Sequence, residues 1–169
     1  MSNSTNTTKL RIRIWPDKIL KKRCRRINKV TDETRRLFDQ MYELMRETDG
    51  VGLAGNQAGL RDSLIVVEAG DKLFKLVNAR ITRQEGKFDF DEGCLSFPGM
   101  NLTIRRARKI WIQALDEYGN PFDIEAEGTL AVIFQHEIDH VNGVVFIERV
   151  PFWRRWKLRP ELKRIRRTS

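Results

Sequence analysis

The sequence predicts one α+β domain. Short stretches that alternate apolar and polar residues read as strands, few stretches read as helices, and the two kinds do not alternate regularly as βαβ units would. One of the helices, over residues 129–141, is apolar nearly all round, which calls for a central, buried position. The length of 169 residues is that of a single domain with a core of its own.

The elements follow in order. Leu10, Ile12 and Ile14 alternate with charged residues and predict a strand over 9–14. Thr31 or Asp32 can cap a helix running to Glu47, with Leu37, Phe38, Met41, Leu44 and Met45 on one stripe. Residues 49–57 are glycine-rich and read as a loop. Strands are expected over 64–67 and 73–77. Glu85-Gly86 suggests a hairpin within 81–90. A strand over 109–115, a turn at 118–121 and a strand over 122–126 come next. Thr129 is the expected N-cap of the apolar helix, and Asn142-Gly143 its stop. Residues 144–150 look like a further strand.

Hydrophobic residues make up 40% and charged residues 33%, which excludes a disordered chain. No apolar run approaches the ~18 residues of a membrane span, and Met1 to Thr8 lacks the apolar stretch of a signal peptide. A cytoplasmic protein with no membrane partner is therefore expected. Two cysteines, Cys24 and Cys94, make no disulfide framework. The net charge of +9 is uneven. Residues 9–26 carry nine Lys/Arg against Asp17, and residues 151–169 carry eight against Glu161, whereas 27–150 is net acidic. Such runs are solvated faces or contacts for a polyanion such as RNA.

The two histidines of the chain, His136 and His140, stand four apart on the apolar helix. That spacing puts both imidazoles on one face, with Glu137 beside them as a possible general base. A catalytic metal site takes three protein ligands and leaves one position for water. A third histidine at the metzincin position is missing, because Phe146 stands there. Glu148 lies in a segment that reads as a strand and is a poor ligand. Cys94, in the loop Glu92-Gly93-Cys94-Leu95-Ser96, is the better third ligand. Cys24, flanked by arginines, reads as structural. Val132 and Ile133 precede His136 by four and three residues and share its face. Together with Phe90 they line an apolar pocket or simply pack the core.

Three segments in series resemble peptide deformylase: Gly50-Val51-Gly52-Leu53-Ala54-Gly55-Asn56-Gln57, Glu92-Gly93-Cys94-Leu95-Ser96, and Gln135-His136-Glu137-Ile138-Asp139-His140. The resemblance covers roughly residues 10–150. It implies antiparallel strands surrounding the central helix that carries the His-Glu-x-x-His motif. It implies hydrolysis of the formyl group from N-formylmethionyl nascent polypeptides, with one divalent metal, Fe2+ in the cell, and Ni2+, Co2+ or Zn2+ able to replace it. Cys94, His136 and His140 then hold the metal, and Glu137 moves the proton. The amide of Gln57 and the backbone N–H of Leu95 face the developing oxyanion. Val51 and Gly52 run beside the extended substrate. Glu92 and Arg106 form a buried pair under the cysteine loop.

Two residues depart from the family pattern. Gly55 replaces the usual second alanine, which adds loop freedom. Asn101 stands where many bacterial members carry an arginine. The uninterrupted spacing from Cys94 to Arg106 resembles the Gram-negative and organellar branch, so an organellar matrix is the alternative location. Residues 1–8 are read as a flexible polar N-terminus, 9–150 as the catalytic domain, and 151–169 as a basic, partly helical tail. In this branch such a tail can dock on the ribosome, here through Lys/Arg contacts to RNA phosphates. Trp153 and Trp156 are expected to pin it to the domain, with Pro160 kinking a helix or starting a new one. The competing readings are a metallopeptidase cutting internal bonds and an RNA-binding module with a structural metal.

Overall fold

The computed structural model describes residues 9–168, so the polar segment 1–8 lies outside the described residues. The architecture is α+β. A five-stranded antiparallel sheet has the order β1(Gly52–Ala54), β2(Leu64–Ala69), β3(Lys72–Glu85), β6(Lys109–Leu115), β7(Pro121–Glu127). A second sheet pairs β4(Phe88–Gly93) with β5(Asn101–Arg106), also antiparallel.

The helices α1(Asp32–Glu47) and α2(Gly128–Val141) pack on opposite faces of the large sheet. Strand β2 shows why. Its run Leu64-Ile65-Val66-Val67 is buried on both sides. Ile65 and Val67 meet Phe134, Ile138 and Val141 of α2. Leu64 and Val66 meet Phe38, Met41 and Met45 of α1. The stripe expected on α1 is the buried one, and Thr31 caps it by accepting from the Thr34 N–H. A third apolar cluster, with Phe97, Met100, Ile104, Phe146 and Ile147, lies between the small sheet and the C-terminal segments.

Several local expectations need correction. Residues 9–14 form no strand, and Arg13 N–H donates to the Gln57 carbonyl instead. The loop 49–57 contains β1, completed by pairing with β2. The turn at Glu85-Gly86 joins no hairpin: β3 pairs with β6 and β4 with β5, a long-range choice that a local turn signal cannot reveal. Strand β5 was not anticipated. Residues 144–150 hold a 3-10 turn over Phe146–Arg149 rather than a strand. Thr129 does not cap α2. Its N-cap is Glu127, with no side-chain cap, and Gly128 enters at φ 62° with its N–H on the Arg108 carbonyl.

The C-terminal end of α2 is fixed from outside. Asn142 caps it and Gly143 turns away at φ 77°. Cys24 is buried there, and its N–H donates to the Val141 carbonyl. The tail folds as α3(Phe152–Lys157) and α4(Arg159–Thr168). Pro160 sits in the first turn of α4, where its missing N–H costs nothing. Leu158, Leu162 and Ile165 attach the tail to the third cluster. The expected anchors, Trp153 and Trp156, are instead exposed. Among the described residues no helix is long and apolar enough to cross a membrane.

A Cβ at Gly143 would stand 2.8 Å from the Lys21 carbonyl oxygen and 2.9 Å from the Arg23 nitrogen, in a conformation that disfavours side chains. Gly143→Ala is therefore expected to lower stability by about 2 kcal/mol, measured by urea unfolding.

Candidate metal centre

Three electron-rich atoms converge where the small sheet meets α2. Cys94 follows β4 directly and its Sγ lies 3.3 Å from His140 Nε2. His140 Nε2 is 3.2 Å from His136 Nε2. All three ligand atoms fall within 4.8 Å of one another. Neighbouring ligands of a tetrahedral ion with bonds of ~2.1–2.3 Å stand about 3.4–3.7 Å apart, so the set fits such an ion with one position left open. Among the described residues this group holds three donors, which argues against a closed structural site.

The first histidine is oriented through a chain of ion pairs. His136 Nδ1 is 2.9 Å from Glu92 Oε2, which leaves Nε2 for the centre. Glu92 in turn accepts from Arg106 through Nε (2.6 Å) and Nη2 (2.9 Å), a bidentate pair with both partners buried. Arg106 Nη1 donates to Asp139 Oδ2 at 2.6 Å, and Arg149 closes on the same carboxylate. The expected Glu92–Arg106 pair is thus the middle of a longer chain ending at the His136 ring.

Local charge follows from these contacts. Burial works against the Glu92 carboxylate, but Arg106 and His136 prevail and hold it below its usual range. Burial disfavours the His136 cation, yet the Cys94 sulfur and Glu92 raise that histidine well above its ordinary value. His140 is pushed well down by burial and by its cationic neighbours. Burial lifts Glu137 to about 7. One carboxylate oxygen of Glu137, Oε2, is buried without a hydrogen-bond partner. The other presses on β1: a Cβ on Gly52 would stand 2.6 Å from Glu137 Oε1. Gly52 is needed for close approach, and what approaches is Glu137.

Gln57 reaches the centre as expected. Its Oε1 accepts from the Ala54 N–H at 2.9 Å, which turns Nε2 toward Cys94 Sγ (3.5 Å) and Ser96 Oγ (3.4 Å). A cavity of about 550 Å³ opens here, and Val51, Phe90, Leu95, Val132 and Ile133 line it together with Glu137. The residues assigned to the site from the sequence therefore lie at one place.

Four helpers were missed. Asn56 Nδ2 donates to the carbonyls of Leu20 and His140. Gln135 clamps α2 to the β5–β6 connection through Ala107 N and O, each at 2.9 Å. Asp139 and Arg149 extend the charge chain. The available signal was polarity at buried helix positions, since Gln135 and Asp139 flank the histidines. Gly55 is no loose point either. Its N–H donates to Leu64 O at 2.9 Å, and a side chain there would run into the Asp62 carbonyl.

The family model for polypeptide deformylase matches residues 9–156. The chain belongs to the polypeptide deformylase family. It is 39% identical over 148 residues to a peptide deformylase of Aquifex aeolicus, covering 84% of this chain and 88% of that one. It is 42% identical over 143 residues to a peptide deformylase of Halothermothrix orenii, covering 83% and 93%. Among solved structures, the Ehrlichia chaffeensis peptide deformylase in complex with actinonin superposes with a TM-score of 0.89 at 32% identity, covering 96% of this chain and 98% of that one.

The ion-pair chain makes a prediction about metal holding. In Glu92→Gln, His136 loses its ionic partner and Arg106 keeps only Asp139. Metal affinity should fall about 10- to 100-fold, read by competition with a chromophoric chelator. Unchanged affinity would show that the chain does not set the ring's orientation.

Proposed function

We propose that the chain hydrolyses the formyl amide at the N-terminus of formylmethionyl polypeptides and releases formate. The observation that carries this is the placement of Glu137. Its unpartnered oxygen is buried at one end of an apolar cavity, beside three atoms suited to a divalent ion.

Cys94, His136 and His140 would hold the metal. When bound, it supplies Lewis-acid polarisation and water made acidic near neutral pH. We assign Fe2+ in the cell, with Ni2+, Co2+ or Zn2+ as substitutes that the same Cys/His2 set admits. The protein's own groups do the rest. Strand β1 has one edge paired with β2 and the other available to an extended peptide, which can add as a further strand. That addition, along Val51 and Gly52, presents the formyl end to Glu137. The methionine side chain enters between Phe90, Val132 and Ile133. Glu137 takes a proton from the attacking water and returns it to the departing amine, a task suited to a carboxyl raised to about 7. Gln57 Nε2, held in place by Ala54, and the Leu95 N–H donate to the oxyanion. One such donor is worth about 3–4 kcal/mol in the transition state.

The metallopeptidase reading loses its last candidate ligand. Glu148 pairs with Lys21 at 2.8 Å and accepts from the Val145 N–H. Phe146 packs against His136 with ring centroids 6.0 Å apart.

The substrate is met where formylated chains are made, the bacterial cytoplasm or an organellar matrix. We also place the basic tail at the ribosome, where Lys and Arg of α4 suit RNA phosphates. Deleting residues 151–169 is expected to weaken ribosome binding about tenfold or more and to leave short-peptide turnover in place. Equal ribosome affinity without the tail would end that assignment.

Glu137→Gln is expected to keep the metal and lose deformylation by at least about a thousandfold, scored as formate release from a formyl-Met peptide. The same variant should be more stable than the parent when both are metal-free. A carboxyl raised from 4.5 to about 7 destabilises the fold as pH climbs past 4.5, with its full effect above 7. The stability difference should therefore be largest at pH 8 and shrink towards pH 5.

A further inference from the structure

The tail packs its aliphatic side chains inward and leaves its aromatic ones outside. Leu158 and Leu162 pack on the third core cluster and Ile165 is 3% exposed within it. Phe152, Trp153 and Trp156 are 76%, 59% and 64% exposed. Positions 152, 153 and 156 are spaced i, i+1 and i+4, so the three rings share one face of α3. Helix α3 thus turns its aromatic face to solvent, while α4 attaches the tail to the core. Isolated exposed apolar residues are ordinary, but three large rings within five residues of one helix face are a contact surface.

The surroundings define the partner. Arg154, Arg155, Lys157 and Arg159 flank the rings, and residues 151–169 carry eight basic groups against Glu161. The Arg154 guanidinium lies over the Trp153 ring at 5.7 Å and that of Arg159 over Trp156 at 5.2 Å. A second copy of the chain is disfavoured, because two such strongly cationic tails would repel. Stacking on unpaired nucleotides uses free ring faces set along a groove. Here each tryptophan has a guanidinium over one face, and the high exposure of all three rings means that they project. Projecting rings bordered by arginines suit a soft apolar layer beneath a sheet of anions. We propose that α3 is a peripheral docking element for an anionic lipid bilayer. Phe152, Trp153 and Trp156 enter the boundary between headgroups and acyl chains, and the flanking Arg and Lys meet lipid phosphates.

This contact lies on the surface of a bilayer and needs no spanning segment. It goes beyond the absence of a spanning helix among the described residues, which does not bear on surface contact. It is also independent of the deformylase reading and of the α4 contact with RNA.

The test uses the full chain with vesicles of phosphatidylglycerol and phosphatidylcholine, and of phosphatidylcholine alone. The parent should float with the anionic vesicles and shift its tryptophan emission to the blue. Binding to the zwitterionic vesicles should be weaker by at least about tenfold. The triple variant Phe152→Ser, Trp153→Ser, Trp156→Ser should lose at least about tenfold in vesicle affinity. Its unfolding midpoint and formyl-peptide turnover should match the parent, since these rings are exposed and outside the site. Absence of flotation by the parent overturns the proposal. So does a triple variant that floats like the parent, which would reduce the contact to charge alone. Tighter binding to single-stranded polyuridylate than to anionic vesicles, with the aromatic residues required, would assign the face to RNA instead.

Discussion

Arg106 is the group on which the rest of the structure turns. It lies on the last position of β5, buried, and it touches both Glu92, which holds the His136 ring, and Asp139 of helix α2. Glu92 receives two of its N–H groups and Asp139 a third. Taking these charges out of water costs several kcal/mol per ion, and only close geometry with hydrogen bonds on every partner offsets it. The arrangement supplies both. Removing Arg106 would leave Glu92 and, in part, Asp139 as buried anions beside Glu137. The same cation settles the protonation of its surroundings: it keeps Glu92 ionised, so that Glu92 can hold the His136 ring, and it helps to keep His140 neutral as a ligand must be.

Helix α2 explains why so strong a countercharge is required. Gln135, His136, Glu137, Asp139 and His140 are all buried within six residues of a 14-residue helix. Each polar group placed there needs a partner from another element. Ala107 answers Gln135, Glu92 answers His136, Arg106 and Arg149 answer Asp139, and Cys94 meets His140 at Nε2 while its Nδ1 stays unpartnered. Among the buried carboxyls here, Glu137 is the one left without a counterion. Its Oε2 has no hydrogen-bond partner, and burial has raised its pKa to about 7. A fold that pairs the neighbouring carboxylates Glu92 and Asp139 and leaves Glu137 Oε2 unsatisfied gives up stability at that point for reactivity.

The site was more legible in the sequence than the sheet around it. Donor chemistry is local: two histidines one turn apart, a glutamate between them and a cysteine in a short loop declare themselves without knowledge of the fold. Helix α1 and strands β2, β6 and β7 were legible because burial of one face, or of both in β2, writes its period into the chain. Strand β5 was not. In Asn101–Arg106 the polar residues Thr103, Arg105 and Arg106 mask the alternation of Leu102 and Ile104, and Arg106 points inward only because Glu92 and Asp139 await it. Gly86 breaks the strand at φ 64° but closes no hairpin, since pairing partners are chosen by the whole sheet. Gly52 shows the same limit at one residue. Close approach could be expected there, but that Glu137 makes the approach is a fact of tertiary packing.

The three candidate ligands come from separate parts of this fold, and that has a thermodynamic consequence. His136 and His140 belong to a helix packed on the large sheet, whereas Cys94 follows β4 of the small one. Arg106 and Glu92 also belong to the small sheet and reach across to α2. The donor cluster therefore exists only when the two sheets are docked, and an ion bound by it favours the docked state by its own binding free energy. Because the charge chain crosses the same boundary, the contacts that orient His136 also help to join the sheets. Loss of any member should then loosen the ligand cluster and the interface together.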